Sequence, residues 1–362
     1  MASMRATPQT MQQIANDLGL NRVTVSLVIN GHAEARGVAE KTVTRVNDYL
    51  RKVGYVASRG AVALRTGKRS GVGILHSGHL YSHLTQAFNR LTDEFAGSPQ
   101  GIEVVIRSSS AILDGLREMV SRGVERVIWI HGGGMRAIAD DIREEAIALA
   151  GRLRAVIYNY GFDLAEDDRE LVASGLSLLG MSRKAGYLQM ARFLRAQGHR
   201  HVLLADAWCD GADTIDAQLL WAMRSCGLDA RAANWQAPEI ADLILRGHRI
   251  GKLVGRTLGE RNFSAVCFRD DEVAAGAVAE LLSNGIRVPE DVSVISMDGH
   301  PLSGVFQVPL TTLAVPVEAM VRKTIQLVRD DKPSGVFCFP YKLLKRASHH
   351  GPAQLSPISA HP

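Results

Sequence analysis

Beyond residue 70, short apolar runs alternate with longer stretches of helical spacing. The seven runs cover residues 71–75, 103–107, 126–132, 155–161, 201–206, 264–271 and 292–299. Parallel strands cannot be joined by a tight turn and need a crossover that is commonly a helix. The pattern therefore predicts an α/β fold with parallel sheets, in which ligands bind beyond the carboxyl ends of the strands.

The N-terminal segment follows a different, helical pattern. Thr10 and Gln13 have the spacing of a capping box, which predicts the start of a helix after Thr10. Gly19 is a favourable residue for ending that helix. Asn21 is a good N-cap for a second helix, and residues 39–53 predict a third. Two short helices joined by a tight turn are typical of a helix-turn-helix that reads the DNA major groove.

Basic charge is concentrated in this same segment. Residues 1–69 carry 11 Lys and Arg against 4 Asp and Glu, whereas the remainder carries 31 against 33. A basic module attached to a near-neutral domain is the electrostatic pattern of a nucleic-acid-binding protein.

Composition argues against several other protein classes. There is no apolar run of 18 residues, no apolar leader in the first ten residues, and no C-x-x-C pair among the four cysteines. No nucleophile–base pair, metal cluster or cofactor motif stands out; His76, His79 and His83 lack acidic neighbours in sequence. We therefore expect a cytoplasmic, non-enzymatic protein without a cofactor, a metal or a membrane anchor.

About sixty consecutive residues resemble the N-terminal domain of the LacI/GalR family of bacterial transcription repressors. The matching motifs are Ile14-Ala15, Gly19, Val23-Thr24-Val25-Ser26, Val28-Ile29-Asn30-Gly31, Lys41-Thr42, Val46, Gly54-Tyr55 and Ala63-Leu64-Arg65-Thr66-Gly67. The resemblance implies an all-α DNA-binding domain over residues 1–57 and a homodimer that binds a pseudo-palindromic double-stranded DNA operator.

The resemblance also assigns DNA contacts. Arg22 is suited to guanine and Val23 to a thymine methyl group, whereas Leu27 departs from the polar reader common at its position. The residues placed at DNA in this way are Thr10, Asn21, Arg22, Val23, Thr24, Ser26, Leu27, Asn30, Tyr55, Arg59, Leu64 and Arg65. Leu64 belongs to a hinge helix over residues 58–70, where it would act as an apolar wedge in the minor groove.

The family pattern continues more weakly from residue 71 to residue 346. It implies a periplasmic-binding-protein-like effector domain of two doubly wound parallel-sheet subdomains, with chain crossings near 170–183 and 300–325, and a disordered tail over 347–362. The expected effector contacts are Ser77, His79, Tyr81, Asp271 and Asp298, with Asp271 closing a strand.

Some family features of the pocket are missing. No arginine lies between residues 213 and 218, and Ser182-Arg183 replaces the Asp-Asn pair at the crossover. A sugar or sugar derivative is the expected effector, although another ligand class, or none, remains open. The expected function is a repressor of carbohydrate-utilisation genes; the alternatives are an activator, an effector-independent regulator, a solute-binding protein and an enzyme.

Overall fold

The computed structural model separates the chain into two units, residues 1–69 and 70–362. The residues it describes are 10–29, 33–53, 71–77, 81–97, 101–131, 140–161, 168–205, 215–233, 242–260, 263–330 and 334–352. The hinge over 58–70 and the contacts expected from Asn30, Tyr55 and His79 lie outside these ranges.

The N-terminal unit is helical. Its helices are α1 (Met11–Leu18), α2 (Arg22–Ile29) and α3 (Glu40–Val53), with a 3-10 turn at Glu34–Arg36. The two halves of the capping box are formed, since the Thr10 hydroxyl accepts from the Gln13 amide at 3.3 Å and Gln13 Oε1 accepts from the Thr10 amide at 2.8 Å. The core consists of Ile14, Ala15, Val25, Val28, Ala33 and Val46. The helices thus pack through the apolar positions that the sequence pattern predicts.

Within the second unit, the first subdomain is built on a fully parallel sheet with strand order β11-β5-β4-β3-β1-β2. Its strands are β1 (Val72–Ser77), β2 (Ile102–Arg107), β3 (Arg126–His131), β4 (Val156–Gly161), β5 (Ser177–Met181) and β11 (Val336–Phe339). Its helices are α4 (Ser82–Ala96), α5 (Ile112–Ser121), α6 (Asp140–Arg152), α7 (Asp168–Ala173) and α12 (Val317–Arg329).

Both faces of this first sheet are covered. Neighbouring strand residues belong to different cores: Ile74 packs under α4 and α12, while Leu75 packs under α5, α6 and α7. Burial on two faces explains why these strands are continuously apolar and do not alternate with polar residues.

The second subdomain repeats this plan with strand order β12-β10-β9-β8-β6-β7, in which only β12 is antiparallel to its neighbour among the described pairings. Its strands are β6 (His201–Leu204), β7 (Asp229–Ala232), β8 (Ala265–Cys267), β9 (Ser293–Asp298), β10 (Thr311–Ala314) and β12 (Lys342–Leu344). Its helices are α8 (Arg183–Ala196), α9 (Ile215–Ser225), α10 (Leu243–Glu260) and α11 (Asp271–Ser283). A 3-10 turn, Pro301–Gly304, follows β9.

The chain passes between the two sheets three times within the described residues. It leaves the first sheet at Ser182, returns after β10 at residues 315–316, and crosses again at 340–341 between β11 and β12. The sequence pattern does not predict the last crossing, because the edge strands β11 and β12 are only four and three residues long. In consequence α12 and β11 complete the first subdomain although they come late in the chain.

The segment 347–352 corrects the expectation that a disordered tail begins at residue 347. Ser348 is fully buried: its hydroxyl donates to the Val294 carbonyl at 2.6 Å and accepts from the Thr311 amide at 2.8 Å. The amide of Val294 donates to the Ser348 carbonyl at 2.7 Å. The Pro- and Ser-rich composition does not predict this segment, because hydrogen bonds from its backbone and from the Ser348 hydroxyl hold it in place.

The same segment encloses His199, which contributes a pH dependence to stability. Its Nδ1 lies 2.9 Å from the Ser264 hydroxyl and its Nε2 lies 3.0 Å from the His350 carbonyl oxygen. Burial lowers the pKa of His199, and likewise that of His349. His199 therefore binds a proton more readily in the unfolded chain than in the folded one. Its contribution to the free energy of unfolding is fully present above the unfolded pKa of about 6.5 and is lost as the pH falls below it.

We accordingly expect the melting temperature of the parent to fall more steeply than that of His199→Gln between about pH 7.5 and about pH 5.5, measured by scanning calorimetry. Glutamine can keep both hydrogen bonds but does not titrate. The control is His201→Gln, an exposed site at the start of β6, which should follow the parent. Equal pH slopes for the parent and His199→Gln would contradict this assignment.

Candidate DNA-binding and effector sites

The start of α2 is arranged as an exposed reading surface. The Asn21 side chain caps the helix by accepting from the Val23 amide at 2.8 Å. Val25 and Val28 are buried on the opposite side, whereas Arg22 is exposed and Val23 is 64% exposed despite being apolar. An exposed valine beside an arginine on a short helix suits contact with base edges better than it suits bulk water.

Polar side chains of α3 also hold α1, the helix that precedes this surface, in place. The Arg45 guanidinium donates to the carbonyl of Leu18, at the end of α1, and the Tyr49 hydroxyl donates to the Asp17 carboxylate. The orientation of α1 is therefore set by side chains from α3 as well as by the apolar core.

The remaining expected DNA contacts divide into two groups. Thr10 is exposed, and Thr24, Ser26 and Leu27 are half-buried on α2. Asn30, Tyr55, Arg59, Leu64 and Arg65 lie outside the described residues.

In the second unit, Ser77 ends β1, but its side chain is used inside the subdomain. It is fully buried, its hydroxyl lies 2.8 Å from Nδ1 of His131, and it accepts from Nε1 of Trp129 at 3.0 Å. Ser77 thus fixes the ends of β1 and β3 relative to each other.

Asp271 occupies a different place from the one expected. It does not close a strand but is the first residue of α11, whose N-cap is Asp270. The Asp271 carboxylate is 1% exposed and accepts from the Ser296 hydroxyl at 2.5 Å and the His300 amide at 2.6 Å, with a further hydrogen bond from the Thr312 side chain. Burial outweighs these hydrogen bonds and raises the pKa of Asp271 to about 6.

Asp298, the last residue of β9, meets the other subdomain. Its Oδ1 lies 3.3 Å from Nδ1 of His83, in the first turn of α4. The His83 ring stacks on Tyr81 with a centroid distance of 6.0 Å, and Asp298 adopts φ of 102°, a conformation that few non-glycine residues take. The carboxyl end of the second sheet and the residues after β1 in the first therefore form one polar cluster.

The charged groups around this polar cluster influence one another's pKa values. Burial, reinforced by the negative charge of Asp298, raises the pKa of Asp270, although two backbone amides of α11 donate to its carboxylate. Burial also raises the pKa of Tyr81, opposed by the positive charge of Arg269 and Arg183. The site therefore holds acidic and basic groups within electrostatic reach of one tyrosine.

Sequence reasoning brought Tyr81 and Asp298 to this site but missed His83 and Asp270. Asp270 carries a usable signal, because an aspartate directly before a helix is a preferred N-cap. His83 entered only as part of a possible histidine cluster. In the described part of the chain no group of His, Cys, Asp or Glu is arranged to hold a metal ion.

The described helices also include none with the length and apolarity that a bilayer crossing requires.

Comparisons with known proteins agree with this architecture. Residues 191–348 match the family model for a periplasmic binding protein-like domain. The chain is 27% identical to the HTH-type transcriptional regulator MalR of Streptomyces coelicolor, over 93% of this chain and 96% of that protein.

Solved structures share the fold. The lac repressor dimer bound to operator and the anti-inducer ONPF aligns with a TM-score of 0.67 at 20% identity, over 94% of this chain and 99% of that one. The LacI family regulator CcpA from Weissella paramesenteroides with bound sucrose aligns with a TM-score of 0.60 at 16% identity, over 77% and 98%.

Proposed function

We propose that this chain is a homodimeric, cytoplasmic repressor of carbohydrate-utilisation genes in the LacI/GalR family of transcription regulators, a proposal supported by its relatives and its structural neighbours. It binds a pseudo-palindromic operator through the N-terminal unit and releases it when a small molecule, a sugar or sugar derivative, binds between the two subdomains. The observation that carries the proposal is the exposed start of α2, with Arg22 and Val23 displayed on a unit that carries a surplus of basic residues.

The proposed roles in DNA binding follow position on the helices and the family resemblance. Arg22 and Val23 read base edges, Leu27 lies against a thymine methyl group, and hydroxyl and amide groups hold phosphates. The full set is Thr10, Asn21, Arg22, Val23, Thr24, Ser26, Leu27, Asn30, Tyr55, Arg59, Leu64 and Arg65. The proposed division of the chain is 1–57, 58–70 and an effector domain from 71, which includes the described segment 347–352.

For the effector, Tyr81 and Asp298 are the proposed contacts, together with His79. Ser77 and Asp271, whose side chains are used internally, support the pocket from behind. His83 strengthens the placement: it is 6% exposed, and neither ring nitrogen makes a hydrogen bond to a described residue, although Nδ1 lies 3.3 Å from Oδ1 of Asp298. Buried polar atoms without partners are rare in proteins, and a ligand hydroxyl is a group that satisfies them.

Regulation then requires only that the effector prefer one arrangement of the subdomains. A ligand shifts an equilibrium by the difference between its affinities for the two states, and a coupling of about 1 to 3 kcal/mol changes operator affinity by about 5- to 150-fold. The crossing segments transmit such a change because they join both sheets.

The proposal is tested by selecting operators from random duplex DNA with the purified full-length protein. We expect a palindromic consensus of two half-sites, and a panel of sugars and glycosides in which at least one member raises the melting temperature and weakens operator binding. Recovery of no consensus would reject the proposal, while a consensus without any effective ligand would support an effector-independent regulator.

Arg22→Ala should relax base preference at one position in each half-site and lower affinity for the selected operator by about 1 to 3 kcal/mol, measured by competition with single-base operator variants. The matched control is Arg36→Ala, an exposed arginine in the turn before α3, which should leave base preference unchanged. A uniform loss across all operator variants would instead make Arg22 a phosphate contact.

A further inference from the structure

The contact between His83 and Asp298 joins the two subdomains directly. His83 lies on α4, which packs on the first sheet, and Asp298 ends β9 of the second sheet. Nδ1 of His83 and Oδ1 of Asp298 approach to 3.3 Å. The contact therefore links elements that must separate if the space between the subdomains opens.

Both groups are largely removed from water. The side chain of His83 is 8% exposed and that of Asp298 is 17% exposed. A buried polar group without a polar partner is unfavourable, and here the imidazole and the carboxylate are placed against each other. Each group therefore depends on the other more than an exposed polar group would.

Asp298 is also held in place from within its own subdomain. The Asp271 carboxylate accepts from Ser296 and from the His300 amide, which lie two residues before and two residues after Asp298. This arrangement fixes the backbone that carries the positive φ of Asp298. Asp271 therefore acts as a positioning residue for Asp298.

The neighbouring acid does not compete for the imidazole. Asp270 is committed to capping α11 through the amides of Glu272 and Val273, and burial raises its pKa, which disfavours its negative charge. Of these two neighbouring carboxylates, Asp298 is therefore the one that contacts the His83 imidazole on α4.

We propose that the His83–Asp298 contact holds the subdomains together when no effector is bound, and that the effector acts by replacing this contact with its own polar groups. The contact stands on geometry alone, whereas its meaning for regulation rests on the proposed function. Effector specificity would then include the ability to satisfy both an imidazole and a carboxylate at once.

The test measures the distance between the subdomains in full-length protein without effector or DNA. Spin labels are placed at the exposed sites Asn89 of α4 and Lys252 of α10, in a background with accessible cysteines changed to serine, and distances are read by double electron–electron resonance. Asp298→Asn is the main variant, because asparagine tolerates a positive φ and removes only the charge. His83→Phe keeps a ring against Tyr81 and removes both nitrogens.

We expect each variant to raise the population of the more separated arrangement about fivefold or more, and the double variant to raise it no further. Asp229→Asn is the matched control, because it neutralises the exposed His201–Asp229 pair, at 3.1 Å, within one subdomain. An unchanged distance distribution in Asp298→Asn and His83→Phe, or strictly additive effects, would overturn the proposal. Operator binding of the parent is assayed in parallel, so failure of the proposed function is seen separately.

Discussion

Gly276→Val should destabilise the second subdomain by about 4 kcal/mol, at the upper end of single-residue effects. A Cβ on Gly276 would lie 2.1 Å from the Ile244 carbonyl oxygen and 3.0 Å from Cα of Gly247. These are backbone atoms of α10, so the clash cannot be relieved by rotating a side chain. Replacing glycine by alanine inside an open helix gains roughly 1 kcal/mol, and here the sign is reversed because α10 and α11 touch through their backbones.

The free energy of unfolding, from urea titration followed by circular dichroism, measures this effect. Gly276→Ala should already lose stability, and Gly276→Val should lose more. Gly97→Ala is the control, since Gly97 follows α4 with φ of −80° and no atom lies within 4 Å of a Cβ there. If Gly276→Ala matched the parent, the close approach of the two helices would be wrong.

Asp271→Ala should lower the free energy of unfolding by about 2 to 4 kcal/mol, whether or not an effector is present. The change leaves the Ser296 hydroxyl and the His300 amide, both partners of a fully enclosed carboxylate, without their acceptor. Each buried group left unsatisfied costs about 1 to 3 kcal/mol, and removing the buried charge recovers part of that loss.

This expectation separates a structural role from direct ligand contact. Asp114→Ala, at a carboxylate that is 73% exposed on α5, serves as the control and should change stability by about 0.5 kcal/mol or less. A loss of effector affinity in Asp271→Ala with no loss of stability would return Asp271 to the pocket itself.

The sequence predicted the features that depend on interactions between residues close together in the chain. The capping box at Thr10 and the left-handed Gly19 that ends α1 follow from residue type and spacing, and both are formed. The parallel sheets also followed from the apolar runs, because strands covered on both faces must be apolar throughout, whereas their division between two subdomains came from the family resemblance.

Residue type and spacing did not predict the features that depend on partners distant in the sequence. The sequence pattern predicts Asp271 at the end of a strand because the apolar run continues past Cys267 to Phe268, yet the chain turns at Asp270 to start a helix. His83 gains its significance only from Asp298, more than two hundred residues later. The burial of Ser348 likewise arises from hydrogen bonds to β9 and β10.

The three crossings have a consequence for synthesis on the ribosome. The first sheet receives its edge strand β11 and the covering helix α12 from residues 317–339, close to the carboxyl terminus. The described core of the N-terminal unit comes from residues 14–46 alone, so this unit can fold as soon as it emerges. The first subdomain must instead wait, with an open edge and an apolar face that only α4 covers, until almost the whole chain has been translated, and exposed surfaces of this kind are those that chaperones protect.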